Sequence, residues 1–355
     1  MTGVALSREN LTVLLNAFYE LGDQHISVKH PADRLGELCT LELSSPDASH
    51  VSVQTGAVTY DERRTEIELE HGEQISEEIP NDAAYVKSFV ASGLLEIENY
   101  DKVHKAVKHH GYRDLEAGHP PLYAGFDTNL LPWRIHDALE LDPIHYPDSQ
   151  GRAPVNGYTL PVGVGEELKI SHRYGKGAMP AQALSEAFGS EFERLAGQPS
   201  ENDRETRLGL RTYRRLSQSR PHDIVKSDRG DAAIIDGCIE YYADEPTEVL
   251  LFSNDYGFVE EAKALVGVKA VHVLFPVDIP RRLTGSWDEL ATLLYMLAVV
   301  FGVVVLPKVT LYGVWEQKRS RNWQRDELYI VPRSKQIKTL LERDKPIVEA
   351  HARTQ

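Results

Sequence analysis

Ala124-Gly125-Phe126-Asp127-Thr128-Asn129 is the most informative stretch of this 355-residue chain. An apolar segment ends here in a glycine and an aromatic residue, and an acid and two small polar residues follow directly. Asp127 therefore comes where a buried strand is expected to end. Ligands of open parallel sheets gather at the carboxyl ends of the strands. We predict that Asp127 belongs to a functional site.

Strands and helices alternate on the carboxyl-terminal side of this stretch. The expected elements are a strand at 157–160, a helix from 164, a helix at 231–242, a strand at 249–253, a helix at 258–265 and a strand at 270–275. This alternation predicts a parallel sheet with helices on both faces. The predicted fold class is therefore α/β.

The consecutive prolines Pro120 and Pro121 mark a domain boundary, because proline resists both helix and strand. Residues 1–118 carry no chemical motif and are predicted to form a separate α+β module. Residues 119–280 would form the α/β domain, with a helical insertion at about 177–222. Residues 281–355 would be a helix–strand extension that packs on the sheet.

Composition sets the broad class. The chain is 41% hydrophobic and 26% charged, which is ordinary for a soluble globular protein. Two distant cysteines, Cys39 and Cys238, favour a reducing compartment, and the first residues lack the pattern of a secretory signal. We therefore expect a cytoplasmic protein. The net charge of −15 argues against a general nucleic-acid coat protein, since phosphate binding needs local positive charge.

The uncharged run from Leu290 to Leu306 could be mistaken for a membrane span. It has 17 residues, whereas a bilayer crossing needs about 20. Gly302 divides it into a helix-like part and a β-branched part. We predict a buried helix followed by a central strand, and no membrane partner.

Three further acids stand in positions comparable to that of Asp127. Glu167 follows a predicted strand and lies inside a helix, Asp231 begins a helix, and Asp255 follows an apolar strand. Taken singly, each has a structural explanation: Asp231 and Asp255 are common N-cap residues, and Glu167 suits an exposed helix face. Together they would repel one another unless protons or a cation compensate them.

Four converging carboxylates without histidine or cysteine suit a hard divalent cation. We therefore predict that Asp127, Glu167, Asp231 and Asp255 bind Mg²⁺ or Mn²⁺ and are catalytic. Small polar residues beside them would hold metal-bound water or a phosphate; these are Thr128, Asn129 and Ser253.

The order of these motifs resembles the PIN domain, a Rossmann-like metal-dependent nuclease fold of RNA-processing enzymes and toxin ribonucleases. The resemblance covers about residues 120–280. The matching residues are Asp127, Thr128 and Asn129; Pro161, Val164, Glu167 and Leu168; Asp231 and Ile234; and Ser253 and Asp255. Gly257 stands where many members carry another acid, and the second and third motifs are unusually far apart, which implies an insertion.

The resemblance implies a ribonuclease or other nuclease that hydrolyses phosphodiester bonds in RNA processing or quality control. The partner would be RNA or another single-stranded nucleic acid, with a homodimer left open. One alternative is a non-catalytic PIN-like module that binds RNA or protein. Another is a metal-dependent phosphatase, which would usually carry Asp-x-Asp; Asp127-Thr128-Asn129 lacks the second acid.

Positive charge is concentrated around the insertion. Arginines recur there at helical spacing, which predicts a phosphate-binding helix face or, alternatively, a surface helix paired with neighbouring acids. The residues predicted to bind substrate there are Arg204, Arg207, Arg211 and Arg214. Arg173 and Lys176 belong to a basic loop expected to close over a bound strand. The tryptophans of the basic segment from Trp315 to Trp323 would either stack unpaired bases or be packing residues on an amphipathic element.

Overall fold

The computed structural model describes residues 3–174, 180–219, 221–244, 247–265 and 268–351. The chain forms two compact units. The first unit comprises Met1–Leu95, Lys176–Arg204 and Val277–Gln355, and the second comprises Glu96–Gly175 and Glu205–Pro276. Lys176, which is predicted to bind substrate, lies outside the described residues, and so does the side chain of Arg173.

The β strands of the described residues are numbered in chain order. They are β1 (Val4–Ser7), β2 (His25–Lys29), β3 (Glu37–Ser45), β4 (Ala48–Val53), β5 (Leu122–Phe126), β6 (Gly157–Pro161), β7 (His222–Val225), β8 (Glu248–Ser253), β9 (Val268–His272), β10 (Arg282–Gly285), β11 (Val303–Leu306), β12 (Val309–Tyr312) and β13 (Glu327–Pro332).

The α helices are numbered in the same way. They are α1 (Thr12–Glu20), α2 (Ala57–His71), α3 (Glu73–Ser76), α4 (Asp82–Ser92), α5 (Tyr100–His110), α6 (Ile135–Ala138), α7 (Val162–Tyr174), α8 (Ala181–Phe188), α9 (Glu201–Ser219), α10 (Asp231–Asp244), α11 (Tyr256–Ala264), α12 (Trp287–Phe301), α13 (Ser320–Gln324) and α14 (Lys335–His351). Short 3₁₀ helices cover Arg8–Asn10, Thr128–Trp133 and Ser190–Leu195.

The first unit is built on an eight-stranded sheet in the order β1-β13-β12-β11-β2-β3-β4-β10, in which neighbouring strands are antiparallel. Its core contains α12, which is buried from Leu290 to Phe301. A capping box starts this helix: the Ser286 hydroxyl accepts from the Glu289 N–H at 3.3 Å, and the Glu289 carboxylate accepts from the Ser286 N–H at 2.6 Å.

The uncharged run divides as predicted. Helix α12 ends at Gly302, whose φ of +83° suits glycine, and β11 follows at once. Among the described residues we find no helix with the length and hydropathy required to cross a membrane.

The observed units differ from the predicted boundaries at 118 and 281. Strand β13 pairs with β1, and β10 pairs with β4, so residues 281–355 complete the amino-terminal sheet and are not an extension of the parallel one. Residues 96–118 belong instead to the second unit, where the Glu98 N–H donates to the Leu274 carbonyl at 2.8 Å. Local sequence patterns identify strands, but they do not reveal which distant strand each one pairs with.

The second unit contains a five-stranded sheet in the order β7-β6-β5-β8-β9, with every neighbouring pair parallel. The α/β class and the parallel sheet are thus confirmed. The chain builds outward from β5 to β6 and β7, then returns to add β8 and β9 on the other side of β5. This order creates a topological switch point between β5 and β8, the place where doubly wound sheets bind ligands.

Candidate acidic site at the switch point

Asp127 lies at the carboxyl end of β5. Its backbone N–H donates to the Phe252 carbonyl of β8 at 2.9 Å, so the residue is fixed at the junction of the two strands. The side chain is only 5% exposed, and its Oδ2 accepts from the Ser253 hydroxyl at 2.7 Å. The same hydroxyl accepts from the Asp255 N–H at 2.9 Å. One buried serine therefore connects the two aspartates.

Asp255 is the N-cap residue of α11. Its Oδ1 accepts from the backbone N–H groups of Gly257 at 2.6 Å and of Phe258 at 3.3 Å. The structural role that the sequence allowed for this acid is therefore real. The capping geometry also holds the carboxylate at the switch point.

Glu167 lies on α7, and its carboxylate connects two other segments through hydrogen bonds. Its Oε2 accepts from the Thr128 hydroxyl, and its Oε1 accepts from the Gly230 N–H at 2.9 Å. Thr128 directly follows Asp127, and Gly230 directly precedes Asp231. Gly230 has a φ of +94°, a conformation that favours glycine and lets the loop before α10 turn toward Glu167.

Electrostatics shows that the four acids share one environment. Burial, together with the smaller effect of the charges of Asp231 and Glu167, raises the pKa of Asp127 to about 6, although the hydrogen bond from Ser253 opposes the rise. Burial also raises the pKa of Asp231, as do the charges of Asp255 and Glu167. We call Asp127, Glu167, Asp231 and Asp255 the acidic cluster.

Glu261 is a fifth acid that the sequence did not single out. It lies on α11, and its charge also raises the pKa of Asp231. Gly257, where the PIN resemblance expects another acid, is in the first turn of the same helix. The sequence offered little to distinguish Glu261 from the neighbouring Glu260, because neither belongs to a motif.

The acidic cluster offers only oxygen atoms as possible metal ligands, which suits a hard cation, but these atoms are not yet arranged around one point. Within the described parts of the chain, no group of three or more His, Cys, Asp or Glu side chains is arranged to hold a metal ion. Hydrogen bonds occupy both oxygens of Glu167, Oδ2 of Asp127 and Oδ1 of Asp255. Oxygen donors alone are what Mg²⁺ and Mn²⁺ prefer, so the residues fit the ion chemically once side chains rotate.

No ion pair compensates the acidic cluster among the residues that the structure describes. Of the predicted supporting residues, Thr128 and Ser253 contact the cluster directly. Asn129 is exposed in the 3₁₀ helix that follows Asp127.

The prediction that Arg204 binds substrate is wrong. Arg204 is fully buried in the first unit, where its Nε donates to the Val300 carbonyl at 3.1 Å and its Nη2 to the Glu78 carbonyl at 2.9 Å. Its Nη1 also lies 3.8 Å from the Glu78 carboxylate. Helical spacing groups residues on a face, but it does not tell which face is buried. Farther along α9, Arg207 and Arg211 are half-buried and Arg214 is exposed.

The tryptophans of the carboxyl-terminal region are packing residues. Trp315 is 9% exposed and Trp323 is 7% exposed. Buried Lys318 places its Nζ 3.8 Å from the centre of the Trp323 ring and 5.1 Å from that of Trp315. The same Nζ donates to the Gly313 carbonyl at 2.5 Å. These rings are enclosed and do not offer faces to bases.

Comparisons of the chain with protein-family models, with curated proteins and with solved structures gave no match. The PIN resemblance therefore stays a prediction from four sequence motifs. The structure adds that the acids of those motifs come together at the switch point of a parallel sheet.

Proposed function

We propose that the protein is a divalent-metal-dependent, PIN-like nuclease that hydrolyses phosphodiester bonds, with RNA as substrate and RNA processing or quality control as its role. One observation carries the proposal: four acids from four separate motifs share the switch point, and no cation pairs with them in the described residues. Asp127 is buried, Glu167 is half-buried and the other two acids are exposed, so the cost falls mainly on the Asp127 anion, which needs a proton or a cation to compensate it.

A bound Mg²⁺ or Mn²⁺ would supply the compensating charge and the Lewis acidity that hydrolysis of a phosphodiester needs. Asp127, Glu167, Asp231 and Asp255 would hold it. The choice of RNA over DNA rests on the family resemblance.

The surrounding residues prepare the carboxylates. The Ser253 hydroxyl donates to Asp127 and orients its carboxylate. The Thr128 hydroxyl and the Gly230 N–H do the same for Glu167. Because these donors are part of the folded chain, they hold both carboxylates at the switch point before any ion binds.

The test is cleavage of a labelled single-stranded RNA by purified protein in Mn²⁺, in Mg²⁺ and in excess EDTA. We expect cutting in metal alone, and at least a hundredfold slower cutting by the Asp127→Asn/Asp255→Asn variant, since removing charge-stabilising groups typically costs 10²–10³-fold. Asp236→Asn is the matched control, because Asp236 is an exposed acid on α10 outside the cluster. Equal cutting by wild type and the double variant would refute the assignment.

A non-catalytic RNA-binding module is the second candidate. The observation in its favour is that both oxygens of Glu167 already have protein donors and that no ready metal group is found among the described residues. Unchanged RNA binding without cutting in any metal would support this candidate.

A further inference from the structure

Tyr256 is an exposed aromatic residue beside the acidic cluster, and the proposed chemistry does not use it. It directly follows Asp255 at the start of α11, and it is 62% exposed. Its ring meets the His272 ring edge to face, with the centroids 5.7 Å apart and the planes at 71°. The rest of the tyrosine ring is open to solvent.

The residue beneath Tyr256 is firmly held. His272 ends β9, and its Nε2 donates to the Asn254 carbonyl at 3.2 Å. The Asn99 side chain donates to the His272 carbonyl at 2.7 Å and accepts from the Leu274 N–H at 2.9 Å. This fixed support limits the motion of the Tyr256 ring, so binding to the ring costs less ordering.

The loop that leads into Asp231 carries exposed charges of both signs, among them Asp228. The loop between β7 and α10 carries Lys226 and Arg229, which are exposed and have no ion pair or hydrogen bond among the residues that the structure covers. The loop is anchored to α7, because the Ser227 hydroxyl accepts from the Gly163 N–H at 3.0 Å and the Gly230 N–H donates to Glu167. Both side chains therefore face solvent; Arg229 is two residues before Asp231, and Lys226 lines a surface cavity together with Glu166 and Asp236.

We infer that Tyr256 stacks on one unpaired base of a single-stranded nucleic acid whose phosphates contact Lys226 and Arg229. The inference rests on the proposed function and names its substrate class. Every base has an aromatic face that stacks on a tyrosine ring, whatever the sequence. In a duplex those faces are covered by neighbouring bases, so a platform of this kind selects single strands.

The test measures binding without cutting, in an Asp127→Asn background. A labelled 12-nucleotide RNA is titrated by fluorescence anisotropy, and 2-aminopurine in the same RNA reports stacking. Adding Tyr256→Ala is expected to weaken binding about tenfold and to abolish the 2-aminopurine quenching, in line with the usual cost of losing one base–aromatic stack. Tyr256→Phe should bind like the parent, since the ring remains.

Tyr242→Ala is the matched control, because Tyr242 is an exposed tyrosine near the far end of α10. It should leave binding unchanged, whereas a duplex of the same sequence should bind more weakly and show no dependence on Tyr256. Single-stranded DNA should show the same dependence, because the ring contacts the base face and not the 2′-hydroxyl. The inference is overturned if Tyr256→Ala binds within twofold of its parent, or if Tyr256→Phe loses as much affinity as Tyr256→Ala.

The two proposals fail separately. Metal-dependent cutting by wild type, with RNA binding that does not depend on Tyr256, would remove the platform and keep the nuclease. Binding that depends on Tyr256, with no cutting in any metal, would keep the platform and remove the nuclease.

Discussion

The two units of this protein bury charge in opposite ways. In the first, the Arg204 guanidinium has the Val300 and Glu78 carbonyls as acceptors and the Glu78 carboxylate as a counter-ion. In the second, Asp127 is buried at the centre of an acidic cluster that has no cation among the described residues. The difference is that the buried charge of the first unit is compensated by the chain itself, whereas the acidic cluster has no compensating cation among the described residues, which is why we propose a metal ion there.

The surroundings of Glu78 and Asp127 make the same contrast. Burial raises the pKa of Glu78, but the nearby Arg204 lowers it. Burial raises the pKa of Asp127 too, and there the nearest charges, Asp231 and Glu167, add to the effect. A buried group surrounded by like charge is a sign of function more than of stability.

Removing the charge that folding uses should have the largest effect on stability. Arg204→Met leaves the Glu78 carboxylate buried beside an apolar side chain, and breaking a buried pair in this way typically costs about 3–5 kcal/mol in the free energy of unfolding. Urea unfolding would measure it. Arg214→Met, at an exposed position of the same helix, should change stability by no more than about 0.5 kcal/mol.

The Arg204 prediction has an internal check. The double variant Arg204→Met/Glu78→Gln should recover part of the loss, since neither position of the pair then carries a charge. A loss below about 1 kcal/mol for Arg204→Met, small beside the usual cost of breaking a buried pair, would mean that the buried pair is not structural and would erase the contrast between the units.

Lowering the pH should stabilise the folded protein when no metal ion is bound. The pKa of Asp127 is raised to about 6 in the folded state, above the value near 3.9 of an unfolded chain, so the folded protein binds this proton more tightly. Its contribution to stability is full below about pH 4, declines as the pH rises, and is lost above about pH 6. The decline amounts to at most about 3 kcal/mol.

The pH prediction is measured in EDTA, as the unfolding free energy of wild type and of Asp127→Asn at a series of pH values. The asparagine does not titrate, so the difference in unfolding free energy between wild type and Asp127→Asn should change between pH 4 and pH 7. Parallel curves across that range would show that Asp127 is not perturbed.

A cation should offset the repulsion and raise stability. Mn²⁺ at about a hundred times its dissociation constant would stabilise the folded state by about 2.7 kcal/mol. The thermal midpoint should therefore rise in Mn²⁺ for wild type and for Asp236→Asn, but not for Asp127→Asn/Asp255→Asn. The rise should be larger at pH 7 than at pH 5, because protons compete with the metal for the carboxylates. An equal rise in all three proteins would place the ion elsewhere.

Local features of the fold and of the site were predictable because they depend on short segments. Asp127 follows an apolar strand, Asp231 begins a helix, and Gly302 separates a helix from a strand; each is visible within a few residues. Parallel strands then bring their carboxyl ends to one edge, which is why acids far apart in sequence could be expected to meet.

Other features depended on contacts that no local pattern contains. The pairing of β13 with β1 joins the two ends of the chain, and nothing near either strand specifies it. Periodicity placed Arg204 and Arg214 on one helix but could not show that the first is buried and the second exposed. Tyr256 was indistinguishable from an ordinary loop residue until its exposure beside Asp255 was known.

The smallest expected effect is on the salt dependence of RNA binding, which tells which of two pairs of basic residues contacts phosphates. Lys226 and Arg229 have no partner among the described residues, whereas Arg207 and Arg211 on α9 are half-buried and engaged with other residues. In the Asp127→Asn background, Lys226→Gln/Arg229→Gln should lower the slope of log affinity for single-stranded RNA against log salt by about 1.4, the share of two single-strand phosphate contacts. Arg207→Gln/Arg211→Gln makes the same charge change and should leave the slope nearly unaltered. The opposite result would show that the arginines of α9 contact the phosphates, because only residues that displace counter-ions from the nucleic acid contribute to this slope.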